Sequence, residues 1–179
     1  MELQRCVYIT VGISGAGKST WIKKISSLLK DNQFLIISPD IERKMLTGDI
    51  SNQECSGVAF FNCFKQLEKA VNNKDLFTIF WDATNLNTKN LNNIQATIKK
   101  SDFDWKVVVV CFECSRDWKL CYDRVESDLK NGVDRSKSNV VSERTGNPII
   151  QDMSTRYCSF VDNVIGDWCK RNNVKRINV

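Results

Sequence analysis

The sequence predicts an α/β protein: a doubly wound parallel sheet of about five strands, with helices on both faces and a helical lid. Two observations predict it. Short runs rich in Val, Ile and Phe recur along the chain, and between them apolar residues are spaced three and four apart. Continuous apolar runs are typical of strands buried in a parallel sheet, and the other spacing is typical of amphipathic helices. Their alternation favours a sheet whose site lies at the carboxyl ends of the strands.

The first two strands and two helices follow from local patterns. A β-branched apolar run ends at Gly12 and predicts the first strand, and the stripe within Thr20 to Leu29 predicts the first helix. Gln33 to Ser38 (QFLIIS) does not alternate, so we expect a second strand that is buried on both faces. Pro39 then breaks this strand and opens a new helix.

Four further elements continue the alternation. Asn52 to Asn72 carries aromatic and aliphatic residues at helical spacing and predicts a long helix, which precedes a strand from Leu76 to Trp81. Thr88 to Lys100 has an inward apolar stripe and predicts another helix. Trp105 to Phe112 (WKVVVVCF) is the most strand-like stretch, so we expect it in the middle of the sheet.

The last third of the chain predicts the lid and the end of the sheet. Ser115 to Lys130 is charged and helical, and Asn131 to Asn147 is polar and irregular. We place the lid at roughly residues 115–147. Ile149 to Arg171 has the pattern of one helix, and Val174 to Val179 that of a last strand.

Length and composition favour one domain over residues 1–179. The chain has 42% hydrophobic residues, which is typical of a globular domain with a core. It shows no charged-then-apolar leader and no apolar run approaching a membrane span. We therefore expect a cytoplasmic protein, in the host cytoplasm if the chain is viral. The net charge of +5 fits an anionic ligand without identifying one.

Eight cysteines are present, and Cys111 and Cys114 form the only CxxC pattern, with Cys121 beyond it. Several cysteines lie in apolar runs of a chain without a secretory signal, which favours reduced thiols. A zinc site would need a fourth ligand, and the sequence contains no histidine. We expect these cysteines to be packed in the core.

The strongest motif is the phosphate-binding loop (P-loop) from Gly12 to Ser19, which follows a strand and precedes a helix. Its glycines bring main-chain N–H groups to the phosphates at the positive end of that helix. Lys18 is expected to reach the β- and γ-phosphates of ATP, and Ser19 to hold Mg²⁺. The predicted ATP-binding residues are Gly12, Ser14, Gly15, Ala16, Gly17, Lys18, Ser19 and Thr20.

Two carboxylates follow strand ends near this loop. Asp40 comes after the second strand and Asp82 after the third, so both are expected near the phosphates. Asp82 is a candidate to help Ser19 hold Mg²⁺ or to position the acceptor. Because histidine is absent, any general base is a carboxylate or a lysine.

Three segments together resemble the kinase module of bacteriophage and bacterial polynucleotide 5′-kinases over roughly residues 5 to 165. They are Gly12 to Thr20, Ser38-Pro39-Asp40 with Arg43 one turn on, and Trp81 to Asn87 (WDATNLN). The resemblance implies transfer of the ATP γ-phosphate to a 5′-hydroxyl end of DNA or RNA. It implies that Asp40 accepts the proton of the hydroxyl and that Arg43 contacts the phosphate of the acceptor.

The resemblance also assigns the acceptor side and the lid. Besides Asp40 and Arg43, we expect Asp82, Thr84 and Asn85 to contact the acceptor. A catalytic arginine is expected from the lid, where Arg144 ranks first, Arg124 second as an ATP-binding residue, and Arg135 last. The Asp-x-Asp-Gly-Thr motif of the accompanying phosphatase module does not occur in this sequence, so only addition of a 5′-phosphate is expected.

Two alternatives stay open. Similar small kinases phosphorylate nucleosides, nucleotides, sugars, antibiotics, peptidoglycan precursors or hydroxymethylated bases in DNA, and the motifs do not exclude these acceptors. A nucleotide-operated switch or ATPase is the other class. The sequence has neither the Asp-x-x-Gly nor the Asn-Lys-x-Asp motif of GTPase switches, which disfavours it.

Overall fold

The computed structural model describes residues 4–136 and 138–179, in which five parallel strands form one sheet in the order β2-β3-β1-β4-β5. The strands are β1 (Arg5–Val11), β2 (Phe34–Ile37), β3 (Thr78–Trp81), β4 (Trp105–Cys111) and β5 (Lys175–Asn178). The α-helices are α1 (Lys18–Ser26), α2 (Pro39–Thr47), α3 (Ser56–Ala70), α4 (Thr88–Ile98), α5 (Trp118–Lys130), α6 (Ile149–Asn163) and α7 (Ile165–Asn172). A 3₁₀ turn, Glu113–Arg116, joins β4 to α5.

Helices cover both faces of the sheet, as predicted. Neighbouring residues of a strand point to opposite faces, and the aromatic residues of β3 show this division. Phe80 stacks on Tyr8 of β1 and meets Trp21 of α1 on one face. Trp81 packs against Phe64 of α3 on the other face, with 4.9 Å between ring centroids. Apolar side chains are therefore packed against helices on both faces of the sheet, which confirms the fold class that the sequence predicts.

Two expectations about strand positions are wrong. The second strand is not buried on both faces, because β2 is an edge strand whose Phe34, Leu35 and Ile36 stay partly exposed. The most strand-like stretch, β4, is interior but not central. The central strand is β1, which pairs with β3 on one side and β4 on the other. Strand order depends on pairing between segments that are far apart in the chain. The composition of a single strand therefore does not predict its position in the sheet.

The helix predicted over Ile149 to Arg171 is two helices. The chain turns at Val164, whose φ of −123° departs from helical values, and α7 starts at the next residue. The change of direction lets Trp168 be buried and lets its ring N–H donate to the Asn92 side chain of α4, at 2.7 Å. Valine is not a helix-breaking residue, so we attribute the break to the tertiary contact between Trp168 and Asn92.

The predicted lid consists of α5 and the irregular segment that follows it. Val141 and Pro148 form an isolated antiparallel bridge, which closes the loop that carries Arg144. Residue 137 of the predicted lid and residues 1–3 of the predicted domain lie outside the described residues. Within residues 4–136 and 138–179, no helix has the length and apolar character needed to cross a membrane.

Candidate active site

The loop between β1 and α1 has the backbone of a phosphate cradle. Gly15 and Gly17 adopt positive φ values of 77° and 92°. Gly17 caps α1 without any side-chain hydrogen bond, and the first turn of α1 carries no acidic residue. The N–H groups at this positive helix end are thus left for an external anion. A Cβ on Gly17 would meet nothing within 4 Å, so the space in front of the helix is open.

The loop is held from behind by the segment that follows β4. The Ile13 N–H donates to the Ser115 hydroxyl at 3.1 Å, and the Ser115 carbonyl accepts from Ser154 of α6 at 2.7 Å. A Cβ on Gly15 would lie 2.3 Å from the Cys121 carbonyl oxygen of α5. Glycine is therefore required at this position both by φ and by space.

Lys18 lies within the cradle that it is predicted to serve. Its ammonium donates to the Ile13 carbonyl at 2.8 Å. Burial lowers the pKa of Lys18, while the carboxylates of Asp82 and Asp40 oppose that effect. A partly desolvated ammonium with one neutral acceptor gains much from a phosphate oxygen. The free N–H groups, the open space and Lys18 together fit the triphosphate of ATP.

Ser19 and Asp82 come together at the same end of the sheet. The Ser19 hydroxyl donates to Oδ2 of Asp82 at 2.9 Å, and the Asp82 N–H donates to the Ile37 carbonyl at 2.8 Å. A hydroxyl and a carboxylate are hard oxygen ligands that suit Mg²⁺. The described residues contain no group of three or more Cys, Asp or Glu arranged around one metal position. A pair of protein ligands suits an ion that also binds phosphate oxygens and water.

Asp40 lies in the first turn of α2, directly after Pro39 at the helix start. Arg43 donates to its carboxylate from one turn further along α2. Burial raises the pKa of Asp40; Arg43 and Lys18 oppose this rise, and Asp82 adds to it. Parallel pairing of β2 with β3, together with the bond from the Asp82 N–H to the Ile37 carbonyl, brings the segment that carries Asp40 next to Asp82.

Arg43 has a different setting from the one expected for a residue that contacts the acceptor. Its side chain is only 7% exposed. Besides the Asp40 carboxylate, it binds the Ile50 carbonyl through Nε at 2.9 Å. In this conformation Arg43 orients the Asp40 side chain and favours its ionised form. The contact of Arg43 with an acceptor phosphate stays a prediction.

The turn after β3 supports the cradle from the other side. The Thr84 carbonyl accepts from the Gly12 N–H at 3.1 Å. Asn85 is 2% exposed, has a φ of 49°, and donates its amide to the Thr10 carbonyl at 2.8 Å. This burial leaves Asn85 no surface for an acceptor in this conformation, so the residue shapes the turn. Asparagine tolerates the left-handed region of backbone conformations better than most residues. The residue type at position 85 could therefore have indicated a role in the turn.

The lid arginines differ in where they lie. Arg124 of α5 donates to the Gly15 carbonyl at 3.2 Å. Arg135 forms an ion pair with Asp128. Both arginines line a cleft of about 550 Å³ beside Gly15 and Gly17. The structure thus brings Arg124 and Arg135 to the loop.

Arg144 is not brought there. It is exposed in the loop that the Val141–Pro148 bridge closes, and it does not line the cleft. The predicted order of the lid arginines does not match this arrangement. The Val141–Pro148 bridge accounts for the position of Arg144, because the bridge closes the loop that carries this residue.

The sequence reasoning missed four residues of the cleft, one of which is Asp128, the partner of Arg135. Trp21 and Lys24 of α1 line it, as does Ser127 of α5. Lys24 lies one turn beyond Thr20, and that spacing could have indicated the shared face. Lys44 of α2 forms a 2.7 Å ion pair with Asp134 of the lid, and neither residue lines the cleft. The lid therefore touches the helix that carries Asp40.

The sequence was compared with models of known protein families. A family model described as AAA domain (AAA_33) matches residues 7–146, which is most of the chain and includes the cradle, Asp40 and Asp82. The chain belongs to the AAA_33 family. Among curated protein sequences, the comparison finds no match for this AAA_33 chain.

Solved structures share the fold of this AAA_33 protein at low sequence identity. A chain of the Pnkp1/Rnl/Hen1 RNA repair complex has a TM-score of 0.60 at 19% identity, with 90% of this chain and 47% of that chain covered. A fungal RNA kinase has a TM-score of 0.51 at 16% identity, with 86% and 65% covered. Shikimate kinase from Acinetobacter baumannii, in complex with shikimate, has a TM-score of 0.52 at 17% identity, with 99% and 84% covered.

The coverage differs between these structures. The AAA_33 chain spans less than two thirds of the RNA kinase and less than half of the RNA repair protein. At such identities the likeness establishes the P-loop kinase fold. The geometry of the cradle fits the phosphates of a nucleotide.

Proposed function

We propose that this protein is an ATP-dependent kinase that transfers the γ-phosphate to a 5′-hydroxyl end of DNA or RNA. The observation that carries the proposal is the position of Asp40. It follows the end of β2, where the Ile37 carbonyl accepts from the N–H of Asp82, and the Asp82 carboxylate in turn accepts from Ser19 of the cradle. A base at this place can act on a hydroxyl next to the terminal phosphate.

The chain's own groups suit phosphoryl transfer. Asp40 accepts the proton of the hydroxyl, whose oxygen attacks the γ-phosphorus while the bond to the β-phosphate oxygen breaks and ADP leaves. The cradle N–H groups and Lys18 hold the transferred phosphate and stabilise its charge. When bound at Ser19 and Asp82, Mg²⁺ would neutralise charge on the phosphate oxygens. Arg124, on the cleft side of Gly15, would add a further positive charge.

Three points support a nucleic-acid acceptor. The sequence carries the Asp-x-x-Arg and Asp-Ala-Thr-Asn-Leu segments of the polynucleotide kinases that it resembles. Two of the structures that share its fold are described as an RNA kinase and an RNA repair complex. The net charge of +5 favours a polyanion as partner. The proposed partner is therefore a 5′-hydroxyl nucleic-acid end.

A small hydroxyl acceptor is the second candidate. The structure of shikimate kinase is matched over 99% of this chain and 84% of its own length, more than for either RNA protein. The size of this chain thus fits a small-molecule kinase at least as well. The fold by itself favours neither acceptor.

One panel decides between them. The protein is incubated with labelled ATP, Mg²⁺ and, separately, 5′-hydroxyl DNA, 5′-hydroxyl RNA, DNA with hydroxymethylated bases, nucleosides and shikimate. We expect transfer to a nucleic-acid end, with an apparent affinity that falls steeply as salt rises. Transfer only to a small acceptor would overturn the proposal in favour of the second candidate. Hydrolysis of ATP at the same rate with every acceptor would indicate a non-kinase ATPase.

The role of Asp40 is tested by Asp40→Asn. The variant should lose transfer while it keeps its affinity for ATP, because the cradle does not include this side chain. Asp75→Asn, a substitution of an exposed carboxylate at the opposite end of β3, is the matched control and should keep full activity. Wild-type turnover in Asp40→Asn would show that another group accepts the proton.

A further inference from the structure

The sulfur atoms of Cys114 and Cys121 lie 3.8 Å apart behind the phosphate-binding loop. Cys114 is in the 3₁₀ turn after β4, and Cys121 is in α5. All eight cysteines lie within the described residues and are free. The phosphoryl transfer proposed above uses neither thiol, although each cysteine contacts a residue that lines the nucleotide cleft, Arg124 for Cys114 and Gly15 for Cys121.

The two thiols have unequal surroundings. Cys114 is partly exposed, and Nη1 of Arg124 lies 3.1 Å from its sulfur. This sulfur is therefore accessible to a small oxidant and lies beside a positive charge. Cys121 is buried and donates to the Cys114 carbonyl at 3.3 Å. Burial raises the pKa of Cys121 to about 12, so this thiol stays protonated at neutral pH. One cysteine suits attack on an oxidant, and the other lies within reach to resolve the product.

Two contacts connect the thiol pair to the nucleotide site. The Arg124 nitrogen that contacts the Cys114 sulfur also donates to the Gly15 carbonyl. The Cys121 carbonyl is packed so tightly on Gly15 that a Cβ there would lie 2.3 Å from it. Close-packed groups transmit small displacements, so a change at either sulfur reaches the loop.

We propose that Cys114 and Cys121 are a reversible oxidation site whose disulfide weakens nucleotide binding. Hydrogen peroxide is the oxidant. The Cys114 thiolate attacks one peroxide oxygen, the O–O bond breaks, and a sulfenic acid forms as hydroxide takes up a proton to become water. The Cys121 sulfur then attacks the sulfenic sulfur, loses its proton and displaces a second water. Two thiols are oxidised and one peroxide is reduced to two waters.

The disulfide affects nucleotide binding through Arg124 and Gly15. The sulfurs must approach from 3.8 Å to about 2.05 Å, which draws the 3₁₀ turn and α5 together. Arg124 loses its contact with the Cys114 sulfur, and the carbonyl packed on Gly15 shifts with Cys121. We expect about a tenfold loss of ATP affinity, close to the effect of one lost hydrogen bond to a charged group.

The experiment measures nucleotide binding and not catalysis. Reduced protein is treated with hydrogen peroxide, and its affinity for a fluorescent ATP analogue with Mg²⁺ is compared before oxidation, after oxidation and after dithiothreitol. A non-reducing peptide map locates any disulfide. We expect a Cys114–Cys121 bond, an affinity about tenfold lower, and full recovery on reduction. Because no acceptor is present, this result is independent of whether a nucleic-acid end is phosphorylated.

Variants assign the effect. Cys114→Ser, compared with its own unoxidised state, should lose the response to peroxide, whereas Cys158→Ser on α6 should keep it. The wild-type map decides the question even if Cys114→Ser does not fold. A peptide map without the Cys114–Cys121 bond would overturn the proposal, and so would a mapped bond that leaves affinity unchanged.

Discussion

The Ser19 hydroxyl lies 2.9 Å from the Asp82 carboxylate, although 63 residues separate them in the chain. Parallel pairing of β1 with β3 brings them together, since it aligns the ends of both strands at one edge of the sheet. Asp82 is further fixed by the bond from its N–H to Ile37 at the end of β2. Three strand ends thus fix the positions of the Ser19 hydroxyl and the Asp82 carboxylate, the pair that we propose binds Mg²⁺.

The Ser19–Asp82 pair predicts a specific dependence on Mg²⁺. Asp82→Asn removes the negative charge while it keeps the shape of the side chain. We expect the Mg²⁺ concentration for half-maximal activity to rise about tenfold or more, as ligand-shell substitutions usually cause. Titration of activity with Mg²⁺ measures it. Asp104→Asn, at an exposed position before β4, is the matched control, and an unchanged titration curve in Asp82→Asn would remove Asp82 from the metal site.

The Asp40–Arg43 contact predicts the pH dependence of turnover. Asp40 must be ionised to act as a base, so activity falls as pH drops through its pKa, which burial raises. Arg43 opposes that rise, and Arg43→Gln should move the acid limb of the kcat profile upward by roughly one pH unit or more. Arg43→Lys keeps the charge and should move it less. An acid limb that stays in place in Arg43→Gln would show that the titrating group is not Asp40.

The packing of Gly15 against Cys121 predicts an unequal pair of glycine substitutions. Gly15→Ala adds both backbone strain at φ 77° and a clash with the Cys121 carbonyl. Gly132→Ala adds strain at φ 71° with open space around the new Cβ. We expect urea unfolding to show a loss of about 1–2 kcal/mol for Gly132→Ala and about 1–3 kcal/mol more for Gly15→Ala. Equal losses would mean that the loop can move away from α5.

The ion pair between Lys44 and Asp134 predicts a lid effect without a stability effect. Its side chains are 57% and 45% exposed, so its loss should change the free energy of unfolding by only about 0–1 kcal/mol. Asp134→Asn should nevertheless speed proteolysis within residues 131–136, because the lid loses its contact with α2. Lys44→Glu combined with Asp134→Lys should restore protection. Failure of the double variant to restore it would show that the ion pair does not hold the lid.

Local patterns in the sequence predicted each strand, the phosphate-binding loop and the helix start at Pro39. Those features depend on residues within a few positions of one another, so composition and spacing determine them. The break at Val164 and the exposed edge of β2 were not accessible in this way. Both result from partners far along the chain, namely Asn92 for the α7 direction and the pairing order for β2.

The candidate site divides along the same line. The sequence by itself determined the residue types of the cradle and placed Asp40 and Asp82 after strand ends, because motif and strand boundary are local. Only the tertiary structure decided that Arg124 and Arg135, and not Arg144, border the loop. It also decided that Arg43 is buried against Asp40 and that Asn85 supports the turn. Those outcomes depend on which segments pack together, and packing is set by contacts that no single stretch of sequence contains.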